Sequence, residues 1–183
     1  MKKTIEPWTC LSRETVFEHS PWLTIESHHL RLPGGKEISD WKWVKTPDFI
    51  NVVAVDTEGL FHCFRQQKYA VKGITLAITG GYIDAGEDPI VAAQRELTEE
   101  TRLVSAEWTA LGAYPIDGNR GSGTGHLFLA ELCQYVGGEV NDDLEDQEKI
   151  LLTRSEVKEA LCAGEFGVMP WVAALALALV RLS

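Results

Sequence analysis

Three glutamates lie close together near the middle of the chain: Glu96, Glu99 and Glu100. If the segment after Asp88 is a helix, side chains three and four residues apart lie on one face of it. Like charges at that spacing repel one another and weaken a helix. A divalent cation such as Mg²⁺ would turn the repulsion into binding, because it prefers oxygen ligands and takes carboxylates together with substrate phosphates. The alternative is an acidic face in contact with solvent.

Two further residues could hold these carboxylates in place. Arg95 lies on the same predicted helix beside Glu99, and a guanidinium makes charge-assisted hydrogen bonds to carboxylates. Glu87, just before the start of the helix, is a second partner for Arg95. The pattern therefore predicts an ordered cluster of charges on one helix.

The ends of this helix are marked in the sequence. Asp88 suits the N-cap position and Pro89 the first turn, so a helix is predicted from Asp88 to about Leu103. One side of the predicted helix is apolar and would face the core: Ile90, Ala93, Leu97 and Val104.

Short apolar runs on both sides of the helix predict strands. They lie at residues 22–32, 37–44, 49–55, 60–66, 75–79, 108–114, 126–133 and 149–152. Gly80-Gly81 is expected to end the strand at 75–79, because two adjacent glycines usually interrupt a strand.

Two more helices are predicted near the C-terminus. Thr153 and Glu156 resemble a capping box, and the helix that they begin should end near Gly164. Pro170 begins an apolar helix, which is about half as long as a membrane span and is therefore expected to be buried in the core. Strands and helices alternate without a regular rhythm, which predicts an α/β fold with a mixed sheet.

Composition limits the class of function. The 183 residues are 45% hydrophobic and 24% charged, which is typical of a soluble globular protein. A net charge of −10 argues against binding to nucleic acid or to a membrane surface. The four cysteines are widely spaced without a zinc pattern, and the N-terminus lacks a signal peptide, so a cytoplasmic protein with reduced thiols is expected.

The segment GGYIDAGEDPIVAAQRELTEETRL resembles the signature of the Nudix family. The family's usual fold is an α/β/α sandwich around a mixed sheet, and its usual activity is hydrolysis of a nucleoside diphosphate linked to another group. Arg102 stands where the family has glycine, and we expect a local backbone change there, since glycine tolerates positive φ. The matching positions are Gly81, Glu87, Arg95, Glu96, Leu97, Glu99 and Glu100.

The resemblance implies roles for these residues. Glu96 and Glu100 match the principal metal ligands, and Glu99 matches a third ligand or a base that orients water. The carbonyl of Gly80 matches a backbone ligand. The implied cation is Mg²⁺, with Mn²⁺ as an alternative. Two matches imply orienting roles: Arg95 and Glu87.

Outside the signature, about residues 37 to 165 resemble ADP-ribose and related ADP-sugar pyrophosphatases. This implies cleavage of an ADP-sugar to AMP and a sugar phosphate. It also implies a β-rich extension over residues 1–44 that joins a homodimer, followed by a hydrolase domain over 45–183. Two alternatives stay open: hydrolysis of another nucleoside diphosphate derivative, such as a GDP-sugar or a dinucleotide, and a non-catalytic nucleotide-sensing module.

Two segments match substrate-binding positions of that group. Trp41 matches a tryptophan that stacks on adenine, and an indole offers a large flat face for a base. The alternative is that Trp41 and Trp43 share a strand on which one indole is packed and the other exposed. Arg65 and Lys68 match phosphate-binding positions, with Lys68 in place of an arginine. Their alternative is surface charge at a strand end.

Two loops complete the predicted site. Arg120 lies in the glycine-rich segment Asp117–His126, where it could bind a phosphate or belong to a flexible connector. A late acidic loop could supply a final catalytic carboxylate from Glu145, Asp146 or Glu148. Glu148 is favoured because it precedes a short apolar strand, and a solvated acidic turn is the alternative.

Overall fold

The computed structural model describes residues 5–138 and 147–182. The chain divides into two compact units. The first comprises Met1–Asp48 with Pro115–Thr124, and the second comprises Phe49–Tyr114 with Gly125–Ser183. Within the two described ranges, no helix has both the length and the apolar character needed to cross a membrane.

The first unit is an antiparallel layer of strands β1 (Thr9–His19), β2 (Leu23–Arg31) and β3 (Glu37–Lys45). The turn between β2 and β3 is closed by the N–H of Leu32, which donates to the carbonyl of Lys36 at 2.8 Å. The bounds of β2 and β3 agree to within one residue with the strands predicted at 22–32 and 37–44.

Strand β1 was not predicted, because its side chains show no regular alternation. Register shifts between Cys10 and Ser12 and between Thr15 and Phe17 interrupt its pairing with β2. Every residue of β1 is exposed. Since neither face is buried, no pattern of period two is imposed on the sequence.

The prediction that Asp117–His126 forms a glycine-rich loop is wrong for most of that segment. Strand β9 (Glu107–Asp117) reaches its first residue, and strand β10 (Gly121–Tyr135) includes its second half. Only residues 118–120 form a turn.

Glycine lets the start of β10 approach β3. Gly121 pairs with Val44 in parallel, and the N–H of Val44 donates to the carbonyl of Arg120 at 2.8 Å. A Cβ at Gly121 would lie 2.7 Å from the ring of Trp43, and φ there is +83°. The glycine therefore serves a close strand contact.

The second unit contains a mixed sheet. Its central strand β4 pairs in parallel with β10 and antiparallel with strands β5 and β7 on its other edge. Strand β5 also pairs with β6 and β11, and β8 and β9 pair with β10. The strands not yet bounded are β4 (Phe49–Asp56), β5 (Phe61–Gln67), β6 (Ile74–Ala77), β7 (Thr79–Tyr82), β8 (Leu103–Val104) and β11 (Glu148–Leu152).

Helices cover both faces of this sheet: α1 (Pro89–Thr101), α2 (Arg154–Ala163) and α3 (Met169–Arg181). Ile50 and Val52 of β4 pack with the buried residues of α1. Val53 and Val55 point to the opposite face and pack with α2 and α3. The unit is thus an α/β/α sandwich, which confirms the predicted fold class.

The predicted helix starts are confirmed by their caps. Asp88 accepts a hydrogen bond from the N–H of Ile90 at 3.0 Å and so caps α1. The capping box of α2 is formed, with the N–H of Thr153 donating to Glu156 at 2.7 Å. Gly164, in the left-handed conformation, ends α2 at the predicted position.

Two predictions about the end of α1 are wrong. The helix stops at Thr101, before the predicted Leu103, because Arg102 adopts φ 62° and ψ 24° and its N–H bonds to the carbonyl of Thr98. Arg102 thus keeps the left-handed backbone that glycine favours, and the expected backbone change is absent. Val104 consequently lies on β8, where it is 39% exposed and does not belong to the core face of a helix.

Gly80-Gly81 does not end a strand as predicted. Strand β6 stops at Ala77, and β7 passes through both glycines. Gly80 pairs with Asn51 and Gly81 with Ile50. Pairing uses only the backbone, so glycine is tolerated where the missing side chains leave space for neighbours.

All four cysteines are free thiols. Cys63 and Cys133 are buried, and desolvation raises the pKa of Cys63 to about 12. Cys10 and Cys162 are exposed. Two of the four thiols therefore belong to the core.

Candidate active site

Helix α1 places the acidic residues beside its buried face. The caps and Pro89 fix where the helix begins, and its contacts with β4 fix its rotation. The buried residues of α1 are Ala92, Ala93, Leu97 and Thr101. Glu96, Glu99 and Glu100 lie next to that face and are half-buried.

Arg95 connects three of the acidic side chains. Its Nη1 lies 2.7 Å from Oε1 of Glu96 and 3.2 Å from Oε2 of Glu99. Its Nε and Nη2 each donate to Glu87 at 3.0 Å, which is a bidentate contact. Nη2 also donates to the carbonyl of Tyr82 at 3.2 Å. These contacts leave the guanidinium little freedom, so it fixes the orientation of the carboxylates.

The charges of this cluster shift one another's ionisation. Hydrogen bonds from Arg95 lower the pKa of Glu87, and the N–H of Asp84 adds a further bond at 3.1 Å. The same contact with Glu87 raises the pKa of Arg95, so both groups stay charged at neutral pH. Burial lowers the pKa of Lys149, which also lies in the electrostatic field of Glu100.

The acidic cluster borders a cavity of about 540 Å³ in the second unit. Glu96 and Glu100 line one side of it and β7 lines another. A Cβ at Gly81 would collide with the carboxylate of Glu96, so glycine is required for this acid to lie against the strand. The cavity is large enough for part of a nucleotide-sized ligand.

The oxygen donors at this cavity are of the type that Mg²⁺ and Mn²⁺ prefer. They include the carboxylates of Glu96 and Glu100 and the backbone of Gly80 and Gly81, with Glu99 next to them on α1. Across residues 5–138 and 147–182, no three His, Cys, Asp or Glu side chains already form a metal-binding group. Arg95 contacts Glu96 and Glu99 and holds them as ion pairs instead. The donor types and the volume of the cavity fit a divalent cation.

Other residues at the cavity were not selected from the sequence. Asn51 and Gln66 are only 4% and 5% exposed, although both are polar. Trp171 was expected only in the core, and it contributes to the cavity wall as well. A single asparagine within the apolar run FINVVAV was the available signal. The additional cavity residues include Asn51, Gln66, Gln147 and Trp171.

The predicted phosphate-binding pair is divided between two places. Lys68 borders the cavity. Arg65 instead forms an ion pair with Glu148 at 3.0 Å, across the register of β5 and β11. Arg65 also lines a different groove, together with Glu156 and Glu159 of α2. The structure therefore does not bring Arg65 or Glu148 to the acidic cluster as expected, while Glu145 and Asp146 lie outside the described residues.

Trp41 and Arg120 lie in the first unit. Trp41 borders a second cavity, of about 430 Å³, and its Nε1 donates to the carbonyl of Asn119 at 2.7 Å. Trp43 borders the same cavity, and both tryptophans are half-buried, so the alternative in which one indole is packed and the other exposed is wrong. The backbone of Arg120 closes the turn before β10, with its N–H bonded to Asp117 at 3.0 Å, and the residue is exposed.

Known proteins resemble this chain over most of its length. An ADP-ribose pyrophosphatase of Bacillus subtilis (strain 168) is 27% identical over 159 residues, which cover 87% of this chain and 83% of the relative. A CMP-5'-(N-acetyl-N-hydroxy-3-aminopropyl)phosphonate hydrolase of Streptomyces rubellomurinus (strain ATCC 31215) is 27% identical over 151 residues, 82% of this chain and 72% of the relative.

A solved structure shares the fold. The crystal structure of an ADP compounds hydrolase superposes with a TM-score of 0.81 and 21% identity, covering 98% of this chain and 96% of the other. A family profile described as the nucleoside diphosphate sugar hydrolase N-terminal domain matches residues 8–44. The profile of the NUDIX domain matches residues 45–172, well over half of the chain. The resemblance seen in the sequence is thereby confirmed, and the chain belongs to the Nudix hydrolase family.

Proposed function

We propose that this protein hydrolyses the pyrophosphate bond of a nucleoside diphosphate sugar, ADP-ribose or another ADP-sugar, giving AMP and a sugar phosphate. The observation that carries the proposal is the group of α1 carboxylates beside a cavity of about 540 Å³. Arg95 holds two of them, those of Glu96 and Glu99. The match of residues 8–44 to a nucleoside diphosphate sugar hydrolase N-terminal domain favours a sugar nucleotide. The name of the Bacillus subtilis relative favours ADP-ribose.

Nudix hydrolases need a divalent metal, and we propose Mg²⁺, with Mn²⁺ as the alternative. Glu96, Glu99 and Glu100 would hold it together with the carbonyl of Gly80. When bound, such a cation neutralises charge on the phosphates and makes water a better nucleophile. Arg95 keeps Glu96 and Glu99 in position through its bonds to both.

The protein's own residues orient the attacking water and attract the phosphates. Glu99, held by Arg95 and 45% exposed at its side chain, can accept a hydrogen bond from the attacking water and orient it. The water oxygen forms a new bond to one phosphorus, the bridging P–O bond breaks, and the water proton passes to solvent or to a basic group. Lys68 places an ammonium at the cavity, where it would attract a phosphate. Cations are needed because the surrounding carboxylates would otherwise repel a diphosphate.

We also propose that Trp41 stacks on the base and that Arg120 contacts a phosphate. The cavity beside Trp41 is lined by further aromatic rings, including Trp8, whose ring centroid lies 5.4 Å from that of Trp41. Such surfaces suit a flat nucleobase. Arg120 is exposed and carries a guanidinium suited to bidentate contact.

We propose that residues 1–44 form an extension that joins two copies into a homodimer, ahead of a hydrolase domain over 45–183. Strand β1 supports this, because it is exposed throughout and Val16 and Phe17 are 52% and 50% exposed. Light scattering of the wild type and of V16D/F17D would test it, with loss of a dimer expected for the variant.

A cytoplasmic location is proposed on the free thiols, and cell fractionation would test that location.

A second candidate substrate is a cytidine monophosphate linked to a phosphonate. It is favoured by the name of the Streptomyces relative, which matches this chain at the same 27% identity as the ADP-ribose enzyme. The linkage also contains a phosphorus–oxygen–phosphorus bridge, so the same acids could act on it.

A panel of substrates decides between these candidates. The wild type with Mg²⁺, and separately with Mn²⁺, would be offered ADP-ribose, an ADP-hexose, a GDP-sugar, a dinucleotide and a CMP-linked phosphonate. A coupled phosphatase would measure the monophosphates released. The highest kcat/KM is expected for an ADP-sugar. A preference for another member would replace the proposed substrate, and nucleotide binding without any turnover would indicate a sensor.

A further inference from the structure

Asn51 occupies a position in β4 where the fold favours an apolar side chain. It lies between the buried residues Ile50 and Val52 and is itself only 4% exposed. Asparagine is disfavoured in strands, and a buried amide is normally fully hydrogen-bonded. A residue that breaks the local pattern in this way is expected mainly at functional sites.

The carboxamide of Asn51 is only partly satisfied. Its Nδ2 donates to the carbonyl of Thr79 at 3.4 Å, which is a long bond. Within the part of the chain that the structure describes, its Oδ1 is buried and has no hydrogen-bond partner. This oxygen can only accept a hydrogen bond, so the missing partner must be a donor.

The same carboxamide lies against the proposed backbone ligand. Gly80 pairs with Asn51 across the strands, and a Cβ at Gly80 would overlap Nδ2 of Asn51. Asn51 also borders the cavity that Glu96 and Glu100 line. The side chain therefore contacts the segment that offers a carbonyl to a cation, at the cavity where the cation would lie.

Thr79 provides an internal comparison. Its Oγ1 is likewise buried without a partner among the described residues, and the residue is 1% exposed. Thr79 pairs with Val52, which packs toward α1, and it is not one of the described residues that line the cavity. Two unsatisfied polar side chains thus flank Gly80, and the one at the cavity is Asn51.

We propose that Asn51 is a positioning residue for the divalent cation. Its Oδ1 accepts a hydrogen bond from a water molecule bound to the cation, while its Nδ2 holds the Thr79 carbonyl and so steadies Gly80. A phosphate oxygen cannot be the partner, because it is itself an acceptor at neutral pH, whereas a metal-bound water is a strong donor. The assignment rests on the metal dependence in the proposed function, but it does not depend on which nucleotide is cleaved.

Mn²⁺ binding without nucleotide tests the assignment. Isothermal titration of the full-length wild type, N51L and T79V with Mn²⁺ would give the dissociation constants. Leucine matches the shape of asparagine without its polar atoms. Loss of a hydrogen-bond partner in the outer shell of a metal weakens binding by about 10-fold or more, and we expect this for N51L. T79V, which removes the other unsatisfied group, should bind Mn²⁺ like the wild type.

Metal-free urea unfolding separates this role from a structural one. N51L should be at least as stable as the wild type, because a half-satisfied buried amide is replaced by an apolar side chain. Should N51L not fold, N51D retains the acceptor oxygen and is expected to bind Mn²⁺ at least as tightly as the wild type. Weaker Mn²⁺ binding by N51D would contradict the assignment.

Each remaining result also decides the matter. Equal Mn²⁺ affinity in N51L and wild type would show that Oδ1 binds a buried water only. A raised KM for nucleotide with unchanged Mn²⁺ affinity would assign Oδ1 to a substrate hydroxyl instead. If the wild type binds Mn²⁺ but cleaves no nucleotide sugar, the proposed substrate fails and the role of Asn51 stands. If the wild type binds no Mn²⁺, both fail.

Discussion

Each unit contains a cluster of charged side chains, the first cluster and the second cluster, and the two differ in how their carboxylates are paired with cationic groups. In the first unit, Oε2 of the buried Glu26 lies 2.8 Å from Nε2 of His28, and Oε1 accepts a hydrogen bond from Nζ of Lys45. Each oxygen of one carboxylate therefore has its own donor. In the second unit, a single guanidinium contacts three carboxylates, those of Glu87, Glu96 and Glu99.

This difference separates a structural cluster from a binding one. A buried charge needs a partner, and Glu26 is supplied with both partners by its own sheet. Three carboxylates around Arg95 carry an excess of negative charge that the contact with one guanidinium does not remove. An added cation would reduce that repulsion, so the second cluster should respond to divalent metal and the first should not.

Glu100→Gln should have the largest effect, because it removes negative charge at the proposed metal site without changing shape. We expect kcat to fall by about 1000-fold, which corresponds to ~4 kcal/mol of transition-state stabilisation. Initial rates at saturating Mg²⁺ would measure it. Turnover near that of the wild type would remove the metal role of Glu100.

Glu148→Gln is the matched variant for that comparison. The sequence suggested a catalytic role for Glu148, but its carboxylate pairs with Arg65, and neither residue is among those that line the cavity. We therefore expect a kcat within about 2-fold of wild type, as for most surface substitutions. A large fall in kcat would restore the catalytic role that the sequence suggested.

Mg²⁺ should stabilise the wild type against heat. A ligand at 100 times its dissociation constant adds about 2.7 kcal/mol, and for a chain of this size that raises Tm by about 5–10 °C. Glu26→Gln should show the same rise, whereas Glu100→Gln should lose most of it. A Mg²⁺ response that depended on Glu26 would overturn the distinction between the two clusters.

Arg95→Lys keeps the positive charge but removes the planar guanidinium and its several hydrogen-bond donors. Lysine cannot form the bidentate contact with Glu87 while also contacting Glu96 and Glu99. We expect the Mg²⁺ concentration for half-maximal activity to rise by about 10-fold, since residues that orient metal ligands typically contribute that much. Activity as a function of Mg²⁺ would measure it, and an unchanged Mg²⁺ requirement would mean that the acids are oriented without Arg95.

The acidic helix could be predicted because its signals are local. Asp88 and Pro89 mark its start, and the spacing of its glutamates is visible within one turn. Strand β1 could not be predicted, because it has no buried face and two irregularities disturb its register. Local sequence thus identified the element that carries the acids but missed a strand that depends on its partner.

The contacts of several candidate site residues depend on the register between strands that are distant in the sequence. Glu148 and Arg65 are 83 positions apart, and only their strand pairing shows that they face each other. Asn51 was visible as a polar residue in an apolar run, but its relation to Gly80 follows from the pairing of β4 with β7. Register sets which side chains share a face, and a single sequence does not reveal it.

Glu26→Gln should show a smaller effect that depends on pH. Hydrogen bonds from His28 and then Lys45 lower the pKa of Glu26 below its ordinary value of 4.5. A carboxyl with a lowered folded-state pKa stabilises the fold above its unfolded pKa, and that contribution is lost as pH falls through the folded value. We expect the variant to lose about 1.5 kcal/mol at about pH 7, as for hydrogen bonds to a charged group.

Urea unfolding of both proteins at several pH values would measure this loss. The difference between wild type and Glu26→Gln should begin to shrink near pH 4.5, where the carboxyl of the unfolded chain takes up a proton, and should disappear below the lowered pKa of the folded state. A difference that stayed constant down to strongly acidic pH would mean that Glu26 contributes through packing, and the first cluster would not be held together by its charges.

Arg102→Gly should have the smallest effect. It tests whether Arg102 contributes to the charge balance of the second cluster. Arg102 has φ 62°, a conformation that glycine adopts without strain, so the variant should be more stable, by at most about 1 kcal/mol because glycine also gains freedom when unfolded. Urea unfolding would measure this gain. The variant leaves Arg95 and its contacts with Glu87, Glu96 and Glu99 intact, so we expect the Mg²⁺ requirement to stay unchanged. Tighter or weaker Mg²⁺ binding by the variant would show that Arg102 takes part in the charge of the second cluster, and the contrast with Glu26 would then rest on two cations instead of one.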